Sequence, residues 1–289
     1  MRQYLEIVEK IISWGVVKDD RTGVGSRSLA GCFFEHNMQE GFPLLTTKRV
    51  PFGLIATELE FFIHGITDKK WLIDRGCHIW DEWCSPDKIP YDHDKETKKA
   101  MQSERELGPL YGWQWRNFGG RYKDFNSEPI QAGIDQFQNL ITMIKHNPDD
   151  RRMLVVAWNP LDNHRMALPP CHWAFQVTVT GGLLNLMWSQ RSVDTALCLP
   201  FNIASYALLL HLLAKETGYG EGRLCGFLAD THIYKNHIEK IQSVQLAREP
   251  LPLCQVHTSD WKGIFNWCSD DSKVLNYKHH KGIAFPIAI

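Results

Sequence analysis

Residues 174–188 read AFQVTVTGGLLNLMW, and this stretch indicates the kind of fold that the chain forms. The segments AFQVTV (174–179) and LLNLMW (183–188) are rich in β-branched and large apolar residues, which is typical of strands. The TGG between them is a tight-turn signal, so the stretch predicts a β-hairpin. A third strand, MLVVAW (153–158), is predicted shortly before it.

After the hairpin, Pro200 opens the sequence PFNIASYALLLHLLAKETGYG, which is apolar on nearly every side of a helix. Such a helix has to be buried, and proline suits its first turn because no intrahelical N–H is needed there. Apolar residues at helical spacing predict further helices over about 1–14, 53–63, 134–145 and 233–246. Strands and helices are intermixed without regular alternation, which predicts the α+β class. We therefore expect a single domain over 1–289, built on a large, mostly mixed β-sheet with surrounding helices.

The composition limits the classes of function. The chain has 289 residues, of which 44% are hydrophobic and 22% are charged, and this suits a globular domain with a sizeable core. Lys plus Arg number 32 and Asp plus Glu number 33, so a polybasic surface for nucleic acid or membrane is not expected. The N-terminus is too charged for a signal peptide, and no apolar run approaches the roughly 18 residues of a membrane span. Eight cysteines without a CxxC pair or a zinc spacing predict free thiols, no metal and a cytoplasmic protein.

Cys171 has an unusual setting in the segment MALPPCHWAFQ. A free cysteine is most often a packed hydrophobe, but two prolines stiffen the chain here, and a thiol held in one orientation suits nucleophilic attack. Adjacent residues of an extended segment face opposite sides, so His172 is badly placed to act as its base. Arg191, at the end of the second hairpin strand, is expected to lower the thiol pKa and to bind an anion with the Ser192 hydroxyl.

Other polar residues suit an anionic ligand that also carries a hydroxyl. Arginine forks bind phosphate well, and Arg21 in DRTG and Arg151 and Arg152 in DDRR are candidates if they converge. His232 and Tyr234 are two residues apart, so on an extended segment both project to one side and can grip one hydroxyl. A metal site built from the histidines of DTHIYKNH is disfavoured, because their spacing of five does not place them on one helical face.

Three further motifs have a structural and a functional interpretation. Asn202 lies at the mouth of the predicted buried helix, where an amide either caps the first turn or binds a donor–acceptor pair on a ligand. Trp80 and Trp83 in HIWDEW either stack on a flat ring or fill the core. Glu58, inside LIATELEFFIHG, is a costly buried carboxylate unless it is hydrogen-bonded or functional, and Glu60 fits the same pattern. The pattern alone does not choose between these interpretations.

Ten segments follow one another in a recognisable order. They are DRTGVGS, GFPLLTTKR, HIWDEW, GPLYGWQWRNFG, NPDDRR, ALPPCH, QRSVD, LPFNIASYALL, DTHIYKNH and the terminal PIAI. In this order and spacing the chain resembles the thymidylate synthase family over nearly its whole length. The resemblance implies reductive methylation of dUMP to dTMP at C5, with 5,10-methylenetetrahydrofolate as donor of both carbon and hydride and dihydrofolate as the second product.

The resemblance also implies roles for single residues. Cys171 would add to C6 of uracil, Asn202 would bind O4 and N3, and Glu58 and Tyr111 would serve the proton transfers. Around dUMP it places Arg21, Gln190, Arg191, Ser192, Asp194, Asn202, His232 and Tyr234, together with Arg151 and Arg152 from a partner subunit. Around the folate it places Lys48, Ile79, Trp80, Trp83, Asp194, Leu197, Phe201 and Ile289. Because two arginines are shared across the interface, the resemblance implies an obligate homodimer.

The chain departs from the family pattern at Cys198 and Ala229, where glycine is usual, and at Pro51, where histidine is frequent. Cys198 lies near the expected folate wall, so a dUMP hydroxymethylase, in which water replaces hydride at the last step, is a second hypothesis. A catalytically silent nucleotide- or RNA-binding relative is a third, and the intact Cys171 weighs against it. The most charged stretch, at about 84–107, resembles an insertion of the kind that family members carry there, and we expect it to be solvated and without chemistry.

Overall fold

A six-stranded sheet forms the centre of the fold. The computed structural model of the chain describes residues 1–92 and 94–287. The strands are β1 (Val16–Lys18), β2 (Ser26–Asn37), β3 (Leu154–Val156), β4 (His172–Thr180), β5 (Leu183–Asp194) and β6 (Gly220–Tyr234). They lie in the order β1-β2-β6-β5-β4-β3. Neighbouring strands are antiparallel except for β5 and β6, which run parallel, so the sheet is mixed and the predicted α+β class is confirmed.

The predicted hairpin is present, and both of its strands are longer than the segments 174–179 and 183–188 predicted from the sequence. β4 and β5 pair antiparallel, with Thr180 opposite Leu183 at the turn. Gly181 and Gly182 both have positive φ, of 58° and 77°, a conformation that a two-residue turn needs and that glycine adopts freely. The third predicted strand corresponds to β3, which is shorter than its signal and has three residues.

The sequence pattern did not reveal the two strands that form the other half of the sheet. β2 and β6 pair antiparallel from Ser26 opposite Tyr234 to Asn37 opposite Arg223. Both strands contain glycines and charged residues, which mask the alternation of apolar side chains on which strand prediction depends. The last predicted helix starts at Ile238 rather than near 233, because the residues up to Tyr234 belong to β6.

Helices cover one face of the sheet. The α-helices of the described residues are α1 (Arg2–Trp14), α2 (Phe52–Ile63), α3 (Lys69–Ile73), α4 (Lys95–Ser103), α5 (Tyr111–Asn117), α6 (Gln136–His146), α7 (Cys198–Thr217) and α8 (Ile238–Lys240). A π-helical turn, Ile241–Gln245, continues α8, and β7 (Gln255–Thr258) pairs with β8 (Ser272–Leu275) in a separate hairpin. The predicted helices near 1–14, 53–63 and 134–145 correspond to α1, α2 and α6.

α7 is the central helix of the core, as its all-round apolar sequence predicts. It contacts α2, α6, β5 and β6, and it ends at Gly218, whose φ of 79° is left-handed. The expectation that no apolar run has the length of a membrane span is wrong for α7, since its 20 residues are long and apolar enough to cross one. However, 67% of its apolar window is buried inside the fold, which is the environment of a core helix in a globular protein.

The two faces of the sheet differ in what covers them. On the helical face, Trp188 of β5 stacks on Tyr206 of α7 with ring centroids 5.3 Å apart. On the opposite face, Phe33 of β2 and Phe227 of β6 contact each other at 5.2 Å and are 49% and 52% exposed. Trp173, at the start of β4, is also exposed there. An exposed apolar surface of this kind is typical of a protein–protein interface.

Gly226 of β6 generates a prediction about stability. A Cβ atom at this position would lie 2.4 Å from the ring of Trp188, which is fully buried. We expect Gly226→Ala to lower the free energy of unfolding by about 1–3 kcal/mol, because the core has to shift to admit the methyl group. Urea denaturation measures this change. Gly282→Ala is the control, since a Cβ there meets no heavy atom within 4 Å, and equal stabilities of the two variants would contradict the prediction.

Candidate active site

Cys171 lies directly before β4, at the point where the chain leaves the two prolines. Its backbone N–H donates to the Tyr111 hydroxyl at 2.8 Å, and its carbonyl accepts the Arg191 backbone N–H at 2.8 Å. Its thiol is half-buried. The backbone around the thiol is therefore fixed from α5 on one side and from β5 on the other.

The side chain of Arg191 faces the same thiol. Its Nη2 lies 3.9 Å from Cys171 Sγ and also donates to the Pro169 carbonyl at 2.7 Å, while Nε donates to the Pro170 carbonyl at 3.0 Å. The guanidinium lies over the ring of Trp158 at 5.4 Å. Burial raises the pKa of the Cys171 thiol, and the positive charge of Arg191 opposes that rise. The net direction is upward, so the thiol carries its proton in the free chain near neutral pH.

His172 does not serve as a base for Cys171. Its Nδ1 is hydrogen-bonded to the Tyr206 hydroxyl at 2.9 Å, and its ring stacks on Tyr111 at 4.4 Å. Burial lowers the pKa of His172 to about 3, so the imidazole is neutral and packed into the aromatic core. This arrangement agrees with the opposite-face argument made from the sequence.

Glu58 and Glu60 of α2 have different surroundings. Glu58 Oε1 accepts a hydrogen bond from the Trp80 indole N–H at 2.8 Å. Burial raises the pKa of Glu58 to about 7, and the Trp80 hydrogen bond opposes that rise. Glu60 instead accepts the backbone N–H of Ser269 at 2.8 Å, near the C-terminal hairpin. The structure thus separates two carboxylates that the sequence pattern could not distinguish.

Tyr111, Trp80 and Trp83 form an aromatic wall beside Glu58. The ring of Trp80 lies 6.2 Å from Tyr111 and 6.3 Å from Trp83, both edge to face. Burial raises the pKa of the Tyr111 hydroxyl well above its ordinary value, so this group stays protonated and its oxygen accepts the Cys171 N–H. Ile79, Leu197 and Phe201, which the resemblance places around the folate, are partly buried side chains packed on the core.

Asn202 lies inside α7 and does not cap it. The helix begins at Cys198, so the interpretation of Asn202 as a capping residue is wrong. Its Oδ1 accepts the Nε2–H of Gln190 at 3.0 Å, and Gln190, which is buried, also donates to the Ser192 carbonyl at 3.0 Å. At the helix start, the Asp194 carboxylate accepts the backbone N–H groups of Ala196 and Leu197 at 2.9 and 3.1 Å.

The end of β6 brings His232 and Tyr234 beside this loop. Both residues are on one strand, as predicted, and their rings lie 5.1 Å apart, while His232 pairs across the sheet with Asp194. Burial raises the pKa of Tyr234 to about 12, so the phenol is neutral. Arg21, which precedes β2, is exposed, and its charge acts on Tyr234.

Arg151 and Arg152 are not brought to Cys171 within one chain. They precede β3, whose Leu154 pairs with Gln176 of β4. At about 3.3 Å per residue, Gln176 is roughly 16 Å along the strand from Cys171. Both arginines are exposed, and Arg152 binds Asp150 through Nε at 2.9 Å and Nη2 at 2.6 Å.

Lys48 is buried and points inward. Its Nζ donates to the Ala196 carbonyl at 2.5 Å and lies 5.1 Å from the ring of Phe285. Burial lowers the pKa of Lys48 to about 8. Cys198, the first residue of α7, is exposed to solvent, and Ile289 lies outside the described residues. In the described part of the chain, no group of three or more His, Cys, Asp or Glu residues is placed to hold a metal ion.

Two residues of the site were not found from the sequence. Trp158 supports the Arg191 guanidinium, and Tyr206 holds the His172 ring. Trp158 ends the predicted strand MLVVAW, and Tyr206 lies in the middle of an apolar helix, so both fitted the pattern of core residues. Only the fold brings them to the functional side chains.

Comparison with known proteins identifies the family of the chain. A family model described as thymidylate synthase matches residues 2–289. The chain belongs to the thymidylate synthase family. The bifunctional dihydrofolate reductase-thymidylate synthase of Paramecium tetraurelia is 42% identical over 292 residues, which cover 99% of this chain and 61% of the relative. The protein of that name from Zea mays is 40% identical over 288 residues, covering 99% and 54%. The chain thus spans little more than half the length of these thymidylate synthase relatives.

The raised pKa of Glu58 generates a prediction about stability. The pKa of Glu58 is about 7 in the folded chain and 4.5 ordinarily, so between these pH values the carboxyl group ionises more readily in the unfolded chain. The free energy of unfolding therefore falls as the pH rises from about 4.5 to 7. We expect Glu58→Gln, which cannot ionise, to gain stability relative to the natural chain from about pH 4.5 to 7 and to hold that gain above pH 7. Denaturant unfolding across this range measures the difference. A difference that is the same at every pH would contradict the pKa shift.

Proposed function

We propose that the chain catalyses the reductive methylation of dUMP to dTMP, with 5,10-methylenetetrahydrofolate as the source of the carbon and the hydride and dihydrofolate as the second product. The observation that carries the proposal is that Arg191 Nη2 lies 3.9 Å from Cys171 Sγ. The same guanidinium donates hydrogen bonds to the carbonyls of Pro169 and Pro170, and so holds the backbone that carries the thiol. Membership of the thymidylate synthase family over residues 2–289 supports it.

Cys171 acts as the nucleophile. The thiolate adds to C6 of the uracil ring, and the electron pair displaced from the C5–C6 bond makes C5 the carbon nucleophile. Because burial keeps the thiol protonated in the free chain, its proton has to leave as the substrate binds. The positive charge of Arg191 lowers the cost of that ionisation, and the fixed backbone keeps Sγ in one position for attack.

Glu58 and Tyr111 carry the proton transfers at C5 and at the pyrimidine carbonyl. A carboxyl group with a pKa of about 7 both accepts and donates protons near neutral pH. Tyr111, held on the Cys171 N–H, stays protonated and acts as a hydrogen-bond donor to the substrate or its water. Both groups contact Trp80, Glu58 through the indole N–H and Tyr111 through its ring.

Asn202 selects uracil over cytosine. Because Gln190 already donates to Asn202 Oδ1, the orientation of the amide is fixed, with its Nδ2–H available to donate to uracil O4 and a lone pair of Oδ1 available to accept from N3–H. Cytosine presents the opposite pattern at both positions. His232 and Tyr234 bind the 3′-hydroxyl of the sugar, and the aromatic wall of Trp80 and Trp83 receives the pterin.

The phosphate site is completed by a second copy of the chain. Arg21, Arg191 and Ser192 contribute from one subunit, and Arg151 and Arg152 contribute from its partner. Two features support a homodimer: the last two arginines lie far from Cys171 in their own chain, and the sheet face with Phe33 and Phe227 is apolar and exposed.

The described cysteines are all free, which supports the expectation of a reducing cytoplasm.

Hydroxymethylation of dUMP is the second candidate function. The observation that favours it is Cys198, whose exposed thiol lies at the start of α7, next to Leu197 and one turn before Phe201 and Asn202. A side chain at this position narrows the space for the pterin, which has to stay beside the nucleotide if hydride rather than water is to reach the C5 methylene group.

Product analysis tests the proposal. We expect dTMP and dihydrofolate in equal amounts, by mass spectrometry and by the absorbance of dihydrofolate. We expect Cys171→Ser to lose at least about 1,000-fold in turnover while it still binds dUMP in calorimetry, because a hydroxyl is a far weaker nucleophile than a thiolate. Cys268→Ser is the matched control, since this cysteine is exposed and distant in sequence from the site. Hydroxymethyl-dUMP with regenerated tetrahydrofolate would instead support the second candidate.

Hybrid dimers test the shared phosphate site. Arg151→Ala and Cys171→Ser are each expected to be nearly inactive alone. A mixed dimer should regain activity, because one of its two sites then contains an intact cysteine and an intact partner arginine. Activity is measured after the variants are co-refolded and the hybrid is separated by an affinity tag. Hybrids that form and remain inactive would place Arg151 with the Cys171 of its own chain.

A further inference from the structure

Lys69, the first residue of α3, carries a buried ammonium group. The residue is 1% exposed, and its Nζ donates to the carbonyls of Asp81 at 3.2 Å, Trp83 at 2.9 Å and Met101 at 2.7 Å. These three acceptors use all three N–H donors of the ammonium. A buried charge is costly unless it is bound in this complete way, so the arrangement requires all three carbonyls to stay in place.

The three carbonyls join two different parts of the chain. Asp81 and Trp83 belong to the loop that carries Trp80, whereas Met101 lies near the end of α4, in the charged segment at 84–107. A second link is the hydrogen bond from Gln102 Nε2 of α4 to Glu82 Oε1 of the loop, at 3.0 Å. α4 is therefore attached to the loop by its backbone and by a side chain, although most of its surface is solvated.

The loop in turn contacts the groups that face Cys171. The indole N–H of Trp80 donates to Glu58 at 2.8 Å, and the Trp80 ring packs on Tyr111, whose hydroxyl holds the Cys171 N–H. A continuous set of contacts therefore runs from the Lys69 ammonium through the loop to the carboxylate. Displacement of the loop backbone by a fraction of an ångström would lengthen the hydrogen bond to Glu58.

We propose that Lys69 is a positioning residue for the reaction, because it braces the loop 78–83 against α4 and so holds the Trp80 indole on Glu58. This inference rests on the proposed function, in which Glu58 transfers protons. It also assigns a role to the charged segment 84–107, which serves as the outer support of the active-site wall. Lys69 itself touches no reacting atom and acts only through Trp80.

The surroundings of Glu58 determine what loss of the brace does. Among the described residues, the titratable groups that interact with Glu58 are Cys77, which directly precedes the loop 78–83, Tyr111 of α5 and Cys198 of α7. The pKa values of all three lie above their ordinary values, for Cys77 and Tyr111 because of burial, so the three groups are neutral near pH 7 and do not stabilise a carboxylate by charge. The Trp80 N–H does stabilise it, so a weaker hydrogen bond raises the pKa of Glu58 further.

The test compares Lys69→Met with Lys70→Met. Methionine keeps the length and apolar stem of Lys69 but cannot donate, whereas Lys70 is exposed and pairs with Asp74 at 2.5 Å, so its loss leaves the loop unchanged. We expect the acid limb of the kcat/KM profile to move upward by about 0.5–1 pH unit in Lys69→Met, as it does in Trp80→Phe. The double variant with both Lys69→Met and Trp80→Phe should show no further shift of the acid limb, because the two changes interrupt the same series of contacts from Lys69 to Glu58. Lys70→Met should not shift the limb.

Two readouts make the test independent of catalysis. Hydrogen exchange of the amides of 80–83 should become faster together with that of α4 in Lys69→Met, while β4 and β5 stay protected. Carboxyl NMR of labelled Glu58 should show its higher titration midpoint without any substrate. If the natural chain made no dTMP, the proposed function would fail. The two measurements would still test whether Lys69 holds the loop 78–83 and the Trp80 indole in position.

A purely structural role predicts a different pattern. Lys69→Met would then lower the melting temperature and the fraction of active protein, without moving the acid limb or the Glu58 midpoint. That result would overturn the proposal. If Lys69→Met does not fold, Gln102→Leu removes the second link from an exposed position, and we expect a smaller shift in the same direction; an unchanged limb and unchanged loop exchange would overturn the proposal equally.

Discussion

The guanidinium of Arg191 binds the carbonyls of Pro169 and Pro170 while it faces the thiol of Cys171. The same group therefore sets the position of the cysteine backbone and the electrostatic potential at its sulfur. This double role depends on the register of the hairpin, because a slip of one residue would turn Arg191 to the other face of the sheet. The turn at Gly181 and Gly182 sets the register as far as Ala174 opposite Ser189, and a one-residue irregularity then places His172, next to Cys171, opposite Gln190.

The sequence was most informative where structure is local. The hairpin depends on neighbouring residues and a two-glycine turn, and α7 depends on a continuous apolar run, so both could be predicted. β2 and β6 pair through residues that are distant in sequence, and no local pattern reports such a pairing. For the same reason Trp158 and Tyr206 could not be recognised as part of the site.

The candidate site divides in a similar way. The motif around Cys171 and the position of Arg191 on the next strand allowed the two residues to be paired from the sequence. Glu58 could not be separated from Glu60, because the difference depends on the Trp80 indole, which reaches the helix from a loop about 20 residues later in the chain. Of the two interpretations left open for Asn202, capping is excluded because α7 begins a turn earlier, at Cys198, where Pro200 is still tolerated.

Burial shifts the pKa of several titratable groups around the cleft. It raises the pKa of Cys171 and Glu58, and it lowers the pKa of His172 and Lys48. In each of these four cases burial favours the neutral form.

α7 belongs both to the core and to the cleft. Its first turns present Cys198, Phe201 and Asn202, and its remaining length is buried between the sheet and α2. A substitution in the buried part of the helix therefore changes the position of the cleft residues as well as the packing. Mutational libraries aimed at a new nucleotide or folate preference would gain most by varying the first turns alone, since the rest of the helix is subject to selection for folding and for activity at the same time.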